Sequence, residues 1–156
     1  MSNRIKKIIS GGQSGADRAA LDTAIKLNIP HGGWCPCGRL AEDGTIDDAY
    51  RVTETPSAEP VQRTEWNVRD SDGTIIFSIS PKLNGGSAKT EGFARQYDKP
   101  CLHLSRERDR PCAVELLSQF LADNKIHILN VAGPRRSEEP GIAEFVSQTL
   151  EAVLVQ

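Results

Sequence analysis

Long apolar runs are missing from this 156-residue sequence, in which nothing approaches the about 18 consecutive apolar residues that mark a membrane-crossing helix. No secretory leader is expected, because the charged start from Met1 to Lys7 runs into only Ile8 and Ile9 before a glycine loop begins. Charge of one sign is not in excess: 19 Lys and Arg stand against 21 Asp and Glu, and neither half of the chain is basic. Sequence-independent nucleic-acid binding needs clustered cations on many phosphates, so no nucleic-acid partner is expected. Cysteine is too sparse for the disulfide framework of a small secreted domain, and Cys35, Cys37, Cys101 and Cys112 are expected to be reduced thiols. His31, Cys35 and Cys37 lie close enough in sequence to share a metal. Structural zinc prefers C-x-x-C pairs, however, and only Pro36 separates these two cysteines, so no structural metal is expected. Repeats and low-complexity tracts are also lacking. The expectation is a cytoplasmic protein without a membrane partner, folded as one domain over residues 1–156. Its 38% hydrophobic and 26% charged residues suit a single core and exclude disorder as the main state.

What is present is an alternation of short apolar runs, bounded by glycine, asparagine or proline, with stretches of helical period. Strands are predicted at Ile5 to Ser10, Gly73 to Ser78, Pro100 to Leu104 and Ile126 to Val131. Helices are predicted from Ala16 to Leu27, from Val61 to Arg69, and after Gly85-Gly86-Ser87, where Phe93, Ala94 and Tyr97 follow. Asp109 and Pro111 suit the cap and first turn of a helix with Val114, Leu117 and Leu121 inward. Arg106, Arg108 and Arg110, alternating with Glu107 and Asp109, read as a solvated loop. The closing helix is the clearest, with Ile142, Phe145, Val146, Leu150 and Val153 at spacings of three and four, a stripe that suits core burial. Residues 31–60 have weak periodicity, with short strands expected near Gly33 and Tyr50 to Thr53. The fold class is α/β, a Rossmann-like three-layer α/β/α sandwich with a mostly parallel sheet.

In such a fold the strand-to-helix loops gather at one sheet edge, where ligands bind. Three of these loops are rich in small or cationic residues. They are Gly11-Gly12-Gln13-Ser14-Gly15-Ala16-Asp17-Arg18, then Asn84-Gly85-Gly86-Ser87-Ala88-Lys89-Thr90, then Gly133-Pro134-Arg135-Arg136-Ser137. Glycine allows close backbone approach, and helix N-termini offer unpaired N–H groups to an anion, so a phosphate-bearing small molecule is the expected ligand. Standard motifs do not fit. A G-x-G-x-x-G fingerprint would need glycine at Ser10, a P-loop would need it at Leu83 and Ala88, and a nucleophile elbow would need it at Ala16. Ser14 is therefore assigned hydroxyl donation to the anion.

These loops, together with Gly32-Gly33-Trp34, Gly38-Arg39, Ala41-Glu42-Asp43-Gly44 and Asn130-Val131-Ala132, resemble the molybdenum cofactor carrier family over nearly the whole chain. That family is similar to a Rossmann-like group that includes the lysine-decarboxylase-like phosphoribohydrolases. The resemblance implies a non-catalytic homo-oligomer that binds the molybdenum cofactor (molybdopterin) and serves molybdoenzymes or cofactor-synthesis proteins. It implies that Gly11, Gly12, Gln13, Ser14 and Gly15 hold an anionic end with Gly85, Gly86, Ser87, Lys89, Thr90, Gly133, Pro134 and Arg135. It adds Arg18 and Arg39 as ligand residues, Asp17 or Asp43 as acceptors for pterin or ribose donors, and Trp34 as a stacking platform. The alternatives are a phosphoribohydrolase-like enzyme, with Glu91 or Asp17 as the catalytic carboxylate, and a nucleotide or ADP-ribose sensor.

Overall fold

The computed structural model describes residues 5–155; the charged start Met1 to Arg4 lies outside them. Nine strands and six helices are present among the described residues. In chain order they are β1 (Lys7–Ile9), α1 (Ala16–Lys26), β2 (His31–Gly32), β3 (Trp34–Cys35), β4 (Leu40–Ala41), β5 (Gly44–Thr45) and β6 (Thr53–Glu54). Then come α2 (Pro60–Arg69), β7 (Gly73–Ser78), α3 (Gly85–Gln96), β8 (Cys101–Ser105), α4 (Arg106–Asp109), α5 (Ala113–Asp123), β9 (Ile128–Ala132) and α6 (Ile142–Leu154).

Five strands form one parallel sheet in the order β2-β1-β9-β7-β8. Parallel strands are covered on both faces, and β7 shows the consequence: all six of its residues, Gly73-Thr-Ile-Ile-Phe-Ser78, are buried. On one face α6 packs between α1 and α5; on the other α2 packs on α3. Phe77 meets Phe145 of α6 edge to face, at 5.5 Å between ring centres. Ile142, Val146 and Leu150 are fully buried in this layer, so the apolar stripe of α6 belongs to the core.

Two local expectations are corrected. Arg106 to Asp109 is a turn of helix rather than a loop, because Ser105 caps it by accepting from the Arg108 N–H. Asp109 and Pro111 do not open α5; Asp109 accepts from the Ser105 N–H, Pro111 sits in a 3-10 turn over Arg110–Cys112, and Cys112 occupies the cap position of α5. Residues 33–55 form a small excursion beside the sheet. There β3 pairs with β6, β4 forms a hairpin with β5, and Leu21, Cys35, Ile46 and Val52 make a second cluster. Among the described residues no helix is long and apolar enough to cross a membrane, and the four cysteines are free of disulfides.

Candidate ligand cleft at the C-terminal edge of the sheet

A cleft of about 540 Å³ opens at the C-terminal ends of β1, β7 and β9. That volume lies within the range of small-molecule sites. Each of the three glycine loops contributes to its wall: Gln13 and Asp17 from the first, Gly86, Ser87, Lys89 and Thr90 from the second, Gly133, Pro134 and Arg135 from the third. Sequence pattern brought these loops to one edge, and the fold closes them around one space.

The glycines divide into two kinds. A Cβ on Gly15 would stand 2.6 Å from the Pro134 carbonyl oxygen, and one on Gly133 would stand 2.6 Å from both the Ala16 Cβ and the Phe77 carbonyl oxygen. These positions let loops and strands approach each other. At Gly85 and Gly86 an added Cβ would meet nothing within 4 Å. Those two begin α3, whose first N–H groups have no helical carbonyl to bond, so this terminus faces open space with a partial positive charge.

Charges around the cleft are mostly committed to one another. Asp17 is 4% exposed, accepts from the Gln13 N–H at 3.3 Å and lies 3.4 Å from the Arg63 guanidinium. Burial pushes its carboxyl above the usual carboxylate range, against the opposing pull of Arg63. Arg135 is held by Glu138 at 3.2 Å and lies 3.8 Å from Glu42. Glu139 accepts from the N–H groups of Ile79 and Ser80 at 2.8 and 2.9 Å, tying the third loop to the end of β7. Among the described residues the cleft cations without an ion pair are Lys82 and Lys89, one before α3 and one in its second turn.

On the cleft floor, Ser78 Oγ donates to the Ser80 carbonyl at 2.6 Å and sits 2.6 Å from His103 Nε2. With the hydroxyl proton on the Ser80 carbonyl, Ser78 accepts from the Nε2–H tautomer of His103. Burial, with Arg108 nearby, lowers the His103 pKa and so favours the neutral ring.

Several residues assigned to the ligand from sequence have other partners. Ser14 does not line the cleft; its hydroxyl donates to the Glu42 carboxylate in a very short bond and accepts from the Arg136 N–H at 3.2 Å. Arg18 forms a two-point pair with Asp43 at 2.6 and 3.2 Å and also donates to the Gly12 carbonyl. Arg39 donates to four carbonyls, those of Ile46, Asp47, Tyr50 and Val52, and thereby organises residues 39–52. Trp34 lies in a separate hollow of about 210 Å³, edge to face with Trp66 and donating from Nε1 to Asp70. Glu91 does not line the cleft and lies 3.6 Å from Arg95 on α3. Thr90 lines it but is 3% exposed and donates to the Gly86 carbonyl. Sequence reasoning missed Arg63, Glu59, Lys82, Ser78 and Glu139. Only Lys82, close before the Asn84-Gly85-Gly86 loop, carried a local signal.

No group of three or more His, Cys, Asp or Glu side chains among the described residues converges as metal ligands would. Comparison with known proteins adds three findings. Residues 8–154 match the circularly permutated YpsA SLOG family. The crystal structure of a "putative molybdenum carrier protein" from Syntrophus aciditrophicus SB is 50% identical, with a TM-score of 0.96, over 99% of this chain and 98% of that one. No curated protein matches the chain.

Proposed function

The chain belongs to the circularly permutated YpsA SLOG family, and from that premise we propose that it is a single-domain carrier of a phosphate-bearing small molecule, the molybdenum cofactor (molybdopterin). The observation that carries this reading is the pair of unpaired lysines, Lys82 and Lys89, beside the open N-terminus of α3 in the cleft. A phosphate monoester carries about −1.5 to −2 charges at neutral pH, which two lysines and a helix terminus match. The likeness to a protein described as a molybdenum carrier supports the choice of ligand.

The donor set fits the cofactor in part and defines what each residue would do. Lys82, Lys89 and the N–H groups of Gly85 and Gly86 would hold the phosphate. Glu59, on the α2 side of the cleft, suits the N–H edge of a flat heterocycle. No cysteine or histidine lines the cleft, so no protein thiolate or imidazole competes for the metal. Molybdopterin brings its own sulfur ligands for molybdenum. The protein's share is then binding and shielding.

The test is purification without oxygen, denaturation, and mass spectrometry of what is released, with oxidised-pterin fluorescence and molybdenum read in parallel. A pterin near one per chain is expected. Replacing Lys82 and Lys89 by alanine should lower its occupancy about tenfold or more, the loss of one or more charge-assisted contacts. A nucleotide in place of the pterin, or no ligand and no micromolar binding of molybdopterin, overturns the proposal.

A further inference from the structure

The first and third glycine loops do present a set of anion donors, but the set is already filled by the chain itself. Glu42, at the tip of the β4–β5 hairpin, accepts from the Ser14 hydroxyl, from the Ser137 hydroxyl at 2.5 Å and from the Ser137 N–H at 3.2 Å. The Arg135 guanidinium lies 3.8 Å away. Hydrogen bonds from Ser137 and Ser14 hold the Glu42 carboxyl below its usual range, so it is an anion at neutral pH. Neighbouring contacts hold the hairpin in place: Asp43 pairs with Arg18 at 2.6 Å, and Gln13 Nε2 donates to the Leu40 carbonyl at 2.9 Å.

Open α/β folds commonly seat a pyrophosphate on the first strand-to-helix loop and its helix terminus. Here that place holds a carboxylate. Arg135 belongs both to the cleft wall and to the Glu42 nest, so a ligand extended by a second phosphate toward the third loop runs into two carboxylates, Glu42 and Glu138. Glu42, Arg135 and Glu138 are exposed, so solvent screens the repulsion, but like charges brought together there still disfavour the wrong ligand. The unpaired positive charge is on the β7–α3 side of the cleft, where Lys82 and Lys89 balance one phosphate.

We infer that Glu42 is a specificity residue that fills the anion nest of the first and third loops and restricts the cleft to ligands bearing a single phosphate. The inference rests on the phosphate-binding reading above. It defines the ligand class as phosphate monoesters, in preference to diphosphates and pyrophosphate-linked dinucleotides.

The experiment titrates 15N-labelled protein with orthophosphate and with pyrophosphate and follows the amides of Gly85, Gly86, Arg136 and Ser137, in the native chain and in Glu42→Gln. The glutamine keeps the side-chain shape and removes the charge, and the Asp43–Arg18 and Gln13–Leu40 contacts remain to hold the hairpin. In the native chain orthophosphate should bind at Gly85 and Gly86 about threefold or more tightly than pyrophosphate, and neither anion should move Arg136 or Ser137. In Glu42→Gln pyrophosphate should gain about tenfold over orthophosphate, as expected when one repulsive charge is removed, and should shift Arg136 and Ser137. The inference is overturned if native protein shows no preference for orthophosphate over pyrophosphate, or if Glu42→Gln leaves the ratio unchanged. If neither anion moves Gly85 or Gly86 in either protein, the phosphate reading of the cleft fails on its own. The Ser137 response of Glu42→Gln to pyrophosphate still decides whether Glu42 fills an anion nest.

Discussion

Substituting alanine at Gly133 and at Gly86 separates a glycine that packs the fold from one that leaves room for a ligand. At Gly133 the new methyl would lie 2.6 Å from the first residue of α1 and 2.6 Å from a carbonyl of β7, where ordinary contact begins at 3.4 Å. Ala16 and Phe77 are both fully buried, so neither can yield cheaply. Overpacking of this kind costs about 1–3 kcal/mol, and a chain of this length loses about 2–4 °C in Tm per kcal/mol. Gly133→Ala should therefore melt roughly 2–12 °C lower. Gly86 lies in α3 with nothing within 4 Å of an added Cβ, so alanine there restricts the unfolded chain at no steric cost. A gain of about 0.4–1 kcal/mol, roughly 1–4 °C, is expected. Thermal unfolding followed by circular dichroism in phosphate-free buffer reads both. Orthophosphate titration should then show weakened binding in Gly86→Ala despite its higher Tm. An unchanged Tm in Gly133→Ala, or a loss beyond about 1 kcal/mol in Gly86→Ala, would refute the division of the glycines into these roles.

Other perturbations follow from the same geometry. Arg39→Lys cannot serve four carbonyls with one ammonium, and leaving partly buried acceptors unmet should cost about 1 kcal/mol or more in urea unfolding. The Ile46 amide, bonded to the Arg39 carbonyl, should exchange faster with solvent, while phosphate affinity should not move. His103→Gln tests the cleft floor through pH: the folded ring binds fewer protons than the unfolded one, so its stabilisation is full above the ordinary histidine value, about 6.5, and is lost as pH falls through the lowered folded value. The stability gap between native protein and His103→Gln should shrink from pH 7.5 to pH 5, and a constant gap would remove His103 from that role. Leu117→Ala, at a fully buried position of α5, should lose about 2–5 kcal/mol in the same unfolding assay.

Local pattern was enough for most of the layers. β7 spans Gly73–Ser78 as the uncharged, β-branched run predicts, because a strand covered on both faces has no polar face to vary. α6 follows its three-and-four spacing because one stripe must face the core. The excursion over residues 33–55 was barely legible. Its strands are two residues long and are held by side chains reaching backbone far away, as Asn67 does by bonding both the N–H and the carbonyl of Trp34. Trp34 read as a stacking platform from its neighbours in sequence, yet its indole is engaged by Trp66 and Asp70, more than 30 residues on.

The amino-acid sequence by itself determined the α/β layering, the parallel sheet and the gathering of three glycine loops at one edge, since each follows from residue period and turn chemistry within about a dozen positions. Which loop is left open to an anion was decided only by the tertiary structure. Ser14, Glu42 and Ser137 meet across separations of 28 and 95 residues, and a carboxylate placed from that distance occupies donors that look vacant in the sequence. Charge pairing acts through space rather than along the chain, so Lys82 and Lys89 are distinguished from Arg18 and Arg135 only by where the acids fall once the chain is folded.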